Sequence, residues 1–407
     1  MIPNFLSRFI LKRVRSDNRS NETDEKQNAR QSPGAGKKVT VREAAFADFA
    51  AISTMNSRLG QGPDSLENWH RLWRDNPAIR SFNAPARIGW VIEDSARIVG
   101  FLGTIPLIYE FSGTQLIAAA TCRFAVEPDY RAYSYLLVTA FFRQRDVQLF
   151  VDSSATPAAG KIMAAAKART LPQKSFDTVL FWVLRPRRYS AYALRKMRFN
   201  GGAVFLGSTL GQLALGVANA FRNKRPASDS NELVVREETL LSLDDRFDRF
   251  VQTSEVRKTG MMAKRSAQIL RWHFEAPQSR RPVTLLTCSK NGEIRGYLVL
   301  RFYEESDEGL RRSVVADLLL RENDQAIIAA LLRAALDKAN QARADILEVA
   351  GFPDAIRDSL LRYRPYSRSL PANPFYFKAR DKNLDEALQS PTAWYACAYD
   401  GDSTLWP

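Results

Sequence analysis

Histidine is nearly absent from this chain: His70 and His273 are the only two among 407 residues. Two isolated imidazoles, with no cysteine or carboxylate at ligand spacing, argue against a protein-held metal and against Ser-His or Cys-His nucleophilic chemistry. Cysteine is scarce as well. Cys122, Cys288 and Cys397 form no CxxC pair, and a low, odd number points to a reducing, cytoplasmic compartment. Acidic side chains are outnumbered, 44 Asp and Glu against 59 Lys and Arg, for a net charge of +15. That balance favours polyanionic partners. The basic residues form no compact stripe interleaved with aromatics, so no specific nucleic acid is predicted.

Long apolar runs are missing too, with one borderline case. Ala203–Phe221 is nineteen residues without a charge, flanked by Lys196 and Arg198 on one side and Arg222, Lys224 and Arg225 on the other. Ser208, Thr209, Gln212, Asn219 and several glycines weaken it as a membrane span. It reads as a packing helix between domains, with a membrane-surface helix as the alternative. Residues 1–38 carry nine basic and four acidic side chains, +5 of the total. Arg8 interrupts the only apolar run there, which argues against a secretory signal. The stretch reads as a basic disordered arm; as a helix it would group Phe5, Phe9 and Val14 beside an anionic membrane surface, a second expected partner.

With 45% hydrophobic and 25% charged residues, the remainder is ordinary globular sequence, long enough for two or three domains. Regular structure is expected from Val39, a strand leading into a helix at Phe46–Ile52. A helix with Trp69 and Trp73 at i, i+4 follows at Ser65–Arg74, and a hairpin turns at Asp94-Ser-Ala. Then come a strand at Leu116–Val126, a helix at Tyr133–Arg145, a strand at Val147–Ser153, a helix at Pro157–Arg169 and a closing strand at Asp177–Leu184. The second half repeats the scheme. Ser254–Phe274 is helical, and Val283–Ser289 and Gly296–Tyr303 are joined by the hairpin signal Lys290-Asn-Gly-Glu. A strand at Ser313–Leu320, a helix at Asp324–Arg343, a strand at Asp345–Ala350, a helix at Pro353–Arg362 and a final strand at Pro374–Ala379 complete it. The expected organisation is a basic arm over 1–38, a first lobe over 39–184, a helical linker over 185–232, a second lobe over 233–380 and a tail over 381–407. The fold class is α/β in the α+β sense: mixed, largely antiparallel sheets flanked by helices.

The chemistry-bearing stretch is Leu116–Arg145. An apolar strand runs into Val126-Glu127-Pro128-Asp129-Tyr130-Arg131, then a helix opens. This resembles the Val-x-Pro-x-x-Arg-Gly-x-Gly-x-Gly/Ala turn of GNAT-superfamily N-acyltransferases, with Ala132, Ser134 and Leu136 at the glycine positions. The resemblance implies acyl-CoA, such as acetyl-CoA, as co-substrate. Its pantetheine would pair with backbone groups near Arg123, Phe124 and Val126, and its pyrophosphate would meet N–H groups of Arg131, Ala132, Tyr133, Ser134 and Leu136. A retained turn in a lobe that no longer binds coenzyme A is the alternative. The family often places a general-acid Tyr after the fifth strand; Ser153–Arg169 contains none, leaving Tyr189 and Tyr192 downstream. Glu127 or Glu93 would serve as general base.

Two lobes of this order, the second without the turn, also resemble Fem-type aminoacyl transferases, which use aminoacyl-tRNA. The ending Trp394–Asp402 looks like the tails of bacterial two-lobe acyltransferases of surface polysaccharide synthesis. Within it, Asp400 and Asp402 around Gly401 read as a turn, with a substrate contact as the alternative. The resemblance implies an amine-bearing sugar or lipid-linked acceptor, and a protein that is cytoplasmic or peripheral at the inner face of the membrane. A catalytically inactive GNAT-like scaffold is the rival reading.

Overall fold

The computed structural model describes residues 39–62, 64–174, 176–197, 201–222, 232–275, 283–304, 309–370 and 374–406. The basic arm expected over 1–38 lies outside the described residues. The first half contributes β1 (Val39–Glu43), α1 (Phe49–Arg58), α2 (Leu66–Trp69, continued by a π turn to Arg74), α3 (Pro77–Phe82), β2 (Gly89–Asp94), β3 (Arg97–Phe111) and β4 (Thr114–Val126). A 3-10 turn, Pro128–Tyr133, leads into α4 (Ser134–Phe142), β5 (Leu149–Asp152), α5 (Pro157–Ala165) and β6 (Arg169–Thr170). Next come β7 (Thr178–Val183), α6 (Pro186–Lys196) and α7 (Gly201–Arg222).

The second half adds β8 (Leu233–Glu238), α8 (Asp245–Thr253), α9 (Val256–Thr259), β9 (Met262–Ala263), α10 (Ala267–Phe274), β10 (Val283–Lys290), β11 (Glu293–Glu304) and β12 (Arg311–Leu320). The chain ends through α11 (Gln325–Gln341), β13 (Ile346–Val349), α12 (Asp354–Leu361), β14 (Tyr366–Ser369), β15 (Tyr376–Ala379) and α13 (Lys382–Ala387). The expected single helix over Ser254–Phe274 is instead α9, β9 and α10. It breaks at Gly260, where the Met261 N–H turns to the Ala393 carbonyl.

Turn chemistry sets the hairpins. Ser95-Ala96 between β2 and β3, and Asn291-Gly292 between β10 and β11, all have positive φ, the geometry that matches strand twist in two-residue loops. Trp69 and Trp73 are core residues, their rings tilted against each other at 4.8 Å between centroids.

The first sheet runs β1-β2-β3-β4-β5-β15-β6 and the second β8-β10-β11-β12-β13-β7-β14. The two orders correspond position by position, and all pairings on these paths are antiparallel except β4–β5 and β12–β13. The sixth position is exchanged. Thr178–Val183, expected to close the first lobe, lies between β13 and β14; Tyr376–Ala379, expected to finish the second, lies between β5 and β6. Apolar alternation identifies a strand but not its neighbours, so sequence order misassigns both. One apolar core joins residues of both sheets with the buried tail residues Trp394, Tyr395, Ala396, Cys397 and Tyr399.

Candidate functional site

Strands β4 and β5 pair in register over Ala118–Ala120 and Leu149–Val151. Beyond that point they part. The cause is a bulge in β4: Ala125 faces Phe101 and Cys122 faces Gly103, so β4 spends one residue more than β3, and Arg123 takes φ 52°. The opening holds a cavity of about 260 Å³ lined by Thr121 to Phe124 of β4, Asp152 of β5, Ser154 to Thr156 and Ala159 around the start of α5, and Asp402 and Trp406 of the tail.

Two buried carboxyl groups share this cavity. Asp152 accepts the Ser154 N–H at 3.1 Å. Burial, and then the charge of Asp402, push its pKa up to about 7, against weaker pulls from the Ser154 N–H and the Thr121 side chain. Asp402 is raised as well, chiefly by burial, although the Ser153 and Ser154 hydroxyls donate to its two oxygens at 2.9 and 3.0 Å. Gly401 permits the approach, because a Cβ there would sit 1.9 Å from Ser153 Oγ. Tyr376 of the exchanged strand is the register partner of Asp152, and its hydroxyl lies over Gly160 of α5. The Asp152 charge adds to burial in raising that phenol.

The residues expected to form the donor site are distributed differently. The Arg123 guanidinium lies 4.1 Å from the Trp406 ring and donates to Gln61 O and Asp64 Oδ1. The Phe124 carbonyl accepts from Gln61 Nε2 at 3.0 Å, and Val126 pairs with Gly100. Glu127 is no free base: Arg97 and Arg58 hold its carboxylate at 2.8 and 2.9 Å. Glu93 is likewise paired, with Arg42.

Arg131, Ala132 and Tyr133 lie in the 3-10 turn, where the Tyr130 N–H goes to Glu127 O and the Ser134 N–H to Arg131 O. The Ser134 N–H, expected on a phosphate, is thus spent inside the turn. With Ala, Ser and Leu where the family has glycine, the chain closes as a right-handed turn rather than an open loop. Leu136 is exposed. Tyr189 and Tyr192 sit on α6 against Val179, Phe181 and Val183 of the second sheet, none of which lines the cavity.

Sequence reasoning missed Asp152 and Ser153, and read Asp402 mainly as part of a turn. A signal existed in the Asp-Ser-Ser that ends an apolar strand. Among the described residues no group of three or more His, Cys, Asp or Glu could hold a metal ion.

No protein-family model matches the chain, and no curated protein matches its sequence. Solved structures do match. A GCN5-related N-acetyltransferase from Anabaena variabilis aligns at 11% identity and TM-score 0.55, over 84% of this chain and 73% of the other. A probable N-acyltransferase from Enterococcus faecalis aligns at 8% identity and TM-score 0.54, over the same shares. The N-myristoyltransferase of Saccharomyces cerevisiae, solved with bound myristoyl-CoA, aligns at 12% identity and TM-score 0.51, over 93% and 88%. At such identities the shared property is the fold: two mixed sheets flanked by helices, of the GNAT type.

Proposed function

We propose that the chain is an N-acyltransferase that moves an acyl group from acyl-CoA to an amine. The observation that carries this reading is the opened β4–β5 seam with a carboxyl of near-neutral pKa beside it. Arg123 and Phe124 have no register partner in β3 or β5, and on this reading the donor lies along the strand beside them. The amine attacks the thioester carbonyl carbon, and the Asp152 carboxylate takes the proton the amine loses. A base of pKa about 7 suits that task near neutrality. The C–S bond then breaks, and the departing thiolate takes a proton, a role this reading gives to the hydroxyl of Tyr376, the register partner of Asp152. Asp402 sets the charge around Asp152 and favours a cationic amine.

The phosphates of the donor fit less well. With the 3-10 turn closed, the exposed Arg131 side chain, rather than a backbone cradle, is left to meet them. That same closed turn favours the second reading, a GNAT-like scaffold without turnover.

The finer reading is an amino-sugar acceptor, lipid-linked or nucleotide-linked, in bacterial envelope or exopolysaccharide synthesis. Its support is the likeness of the Trp394–Asp402 tail and the fit of two carboxyls to an ammonium group. Calorimetric titration with acetyl-CoA, followed by thiol release with a panel of amino sugars, tests both levels. Binding and release with an amino sugar are the expected results. Absence of heat and of thermal protection at millimolar acetyl-CoA would overturn the acyl-CoA reading, leaving a Fem-like aminoacyl-tRNA donor or the scaffold.

A further inference from the structure

Helices α6 and α7 pack on each other and on the second sheet. A Cβ at Gly207 would meet Leu194 Cδ1 at 2.7 Å and one at Gly211 would meet Ser190 Oγ at 2.4 Å, so the small residues of α7 are already used within the pair. Asn219 donates to Val183 O at 3.0 Å and accepts from the Tyr366 hydroxyl at 3.1 Å, which fixes the far end of α7 to β7 and β14. Among the described residues the opposite face of α7 has no such cover. Phe205, Leu210, Leu213 and Val217 are 62, 69, 66 and 57% exposed. They are four of the ten large apolar side chains exposed among the described residues. At 100° per residue they fall on one side of the 22-residue helix.

The segment that forms this face carries charge of a single sign, although Arg188 pairs with Asp345 at 3.3 Å. From residue 178 to residue 228 the chain has nine Lys and Arg and no Asp or Glu. Arg187, Arg188, Arg195 and Lys196 are exposed on α6, and the Arg187 guanidinium lies 5.7 Å from the Phe205 ring, at the margin of the apolar face.

We propose that the exposed face of α7, with the basic side chains of α6, docks on an anionic lipid surface. Among the described residues no helix is long and apolar enough to cross a membrane, so the helix would lie in the interface, its apolar side in the acyl boundary and the cations at the headgroups. A second copy of the chain is a poorer occupant. Two such faces would bring only like charges together, with no carboxylate on either pair of helices to offset them. The inference is independent of acyl transfer and has its own readout.

The test is co-sedimentation of the full chain with phosphatidylcholine vesicles, with and without phosphatidylglycerol. Binding is expected only to the mixed vesicles and is released by high salt, because the attraction is screened within about 8 Å at physiological ionic strength. Leu213→Glu with Val217→Glu should lower partitioning roughly tenfold or more, and Arg187→Gln with Arg195→Gln and Lys196→Gln by a similar factor. All five positions lie outside the β4–β5 cavity, and circular dichroism verifies the fold of each variant. Equal binding to both vesicle types overturns the proposal. So does binding that survives the two Glu substitutions, which would assign the attraction elsewhere, for instance to the basic residues of 1–38. A dimer in sedimentation velocity that the Glu pair dissociates would give the face to a second copy instead.

Discussion

The two sheets have the same strand order and the same break after their fourth strand, yet only one break is open. In the first sheet the bulge at Arg123 leaves a cavity between β4 and β5. In the second, a bulge at Ala316 opens β12 from β13 in the corresponding place, and the C-terminal tail fills the gap. Cys397 bridges to Gly351, the Phe352 N–H bonds Ala396 O at 2.8 Å, and the Tyr395 hydroxyl reaches Leu318 O. Below this plug Arg265, fully buried, holds both Asp317 and Asp400. Having sealed one seam, the tail continues past Gly401 and delivers Asp402 and Trp406 to the other. The comparison teaches that the strand scaffold alone does not make a site. What occupies the seam decides, and here one segment serves as filler in one sheet and as cavity wall in the other.

The largest effect is expected in the open seam. Asp152→Asn should lower thiol release by about two to four orders of magnitude, the range for losing a general base. Stability should move the opposite way. The carboxyl is raised from 3.8 to about 7, so the folded state binds its proton more tightly than the unfolded state does. Stability from this group is therefore full below pH 4 and is lost as pH rises through about 7, a penalty of about 4 kcal/mol. Denaturant titrations at pH 5 and pH 8 should show a steeper loss of stability in the parent than in the Asn variant, which keeps the contribution of Asp402. A variant that keeps full turnover, or one whose slope equals that of the parent, would separate Asp152 from the role given it.

The plugged seam should respond in stability rather than turnover. Arg265→Met leaves Asp317 and Asp400 buried without their cation, a loss of about 3–5 kcal/mol by chemical denaturation. A loss below about 1 kcal/mol would mean that apolar packing of Trp394 and Tyr395 holds the tail by itself. Between the seams, Gly401→Ala tests their coupling. Its Cβ would collide with both Oγ and Cβ of Ser153, so the tail must shift, at a cost of about 1–3 kcal/mol. Because the shift moves Asp402, thiol release should fall as well, which distinguishes this collision from a merely structural one.

Much of this scaffold was legible from the residues, because each element writes its own period and punctuation. Strands β1 to β5 and β10 to β13 follow apolar runs bounded by Asp-Ser-Ala, Ser-Gly and Asn-Gly turns. The exchange of Thr178–Val183 and Tyr376–Ala379 was not legible, since a four- to six-residue strand carries no address for its partner. Nor was β14, Tyr366–Ser369, whose exposed polar positions lack an apolar run. The cavity was half legible. Val126–Arg131 located the seam, but the carboxyl pair joins positions 152 and 402, and only the folded tail brings them together. The closed 3-10 turn depends on what the chain does without glycine, which a motif written in glycines does not state.

The smallest expected effect separates Glu127 from Asp152. Sequence reading offered Glu127, with Glu93 as the alternative, as base. In the fold it is a clamp, joining Arg97 of β3 and Arg58 of α1 at the mouth of the turn. Both arginines are more than half exposed, and such ion pairs contribute little. Glu127→Gln should therefore cost no more than about 1 kcal/mol, with the loss fading in high salt. Its pH–rate profile should superimpose on that of the parent, with the apparent pKa of about 7 retained. A profile that loses its acidic limb, the fall in rate below about pH 7, in the Gln variant would return the proton-transfer role to Glu127 and make the Asp152–Asp402 pair a structural feature of the seam.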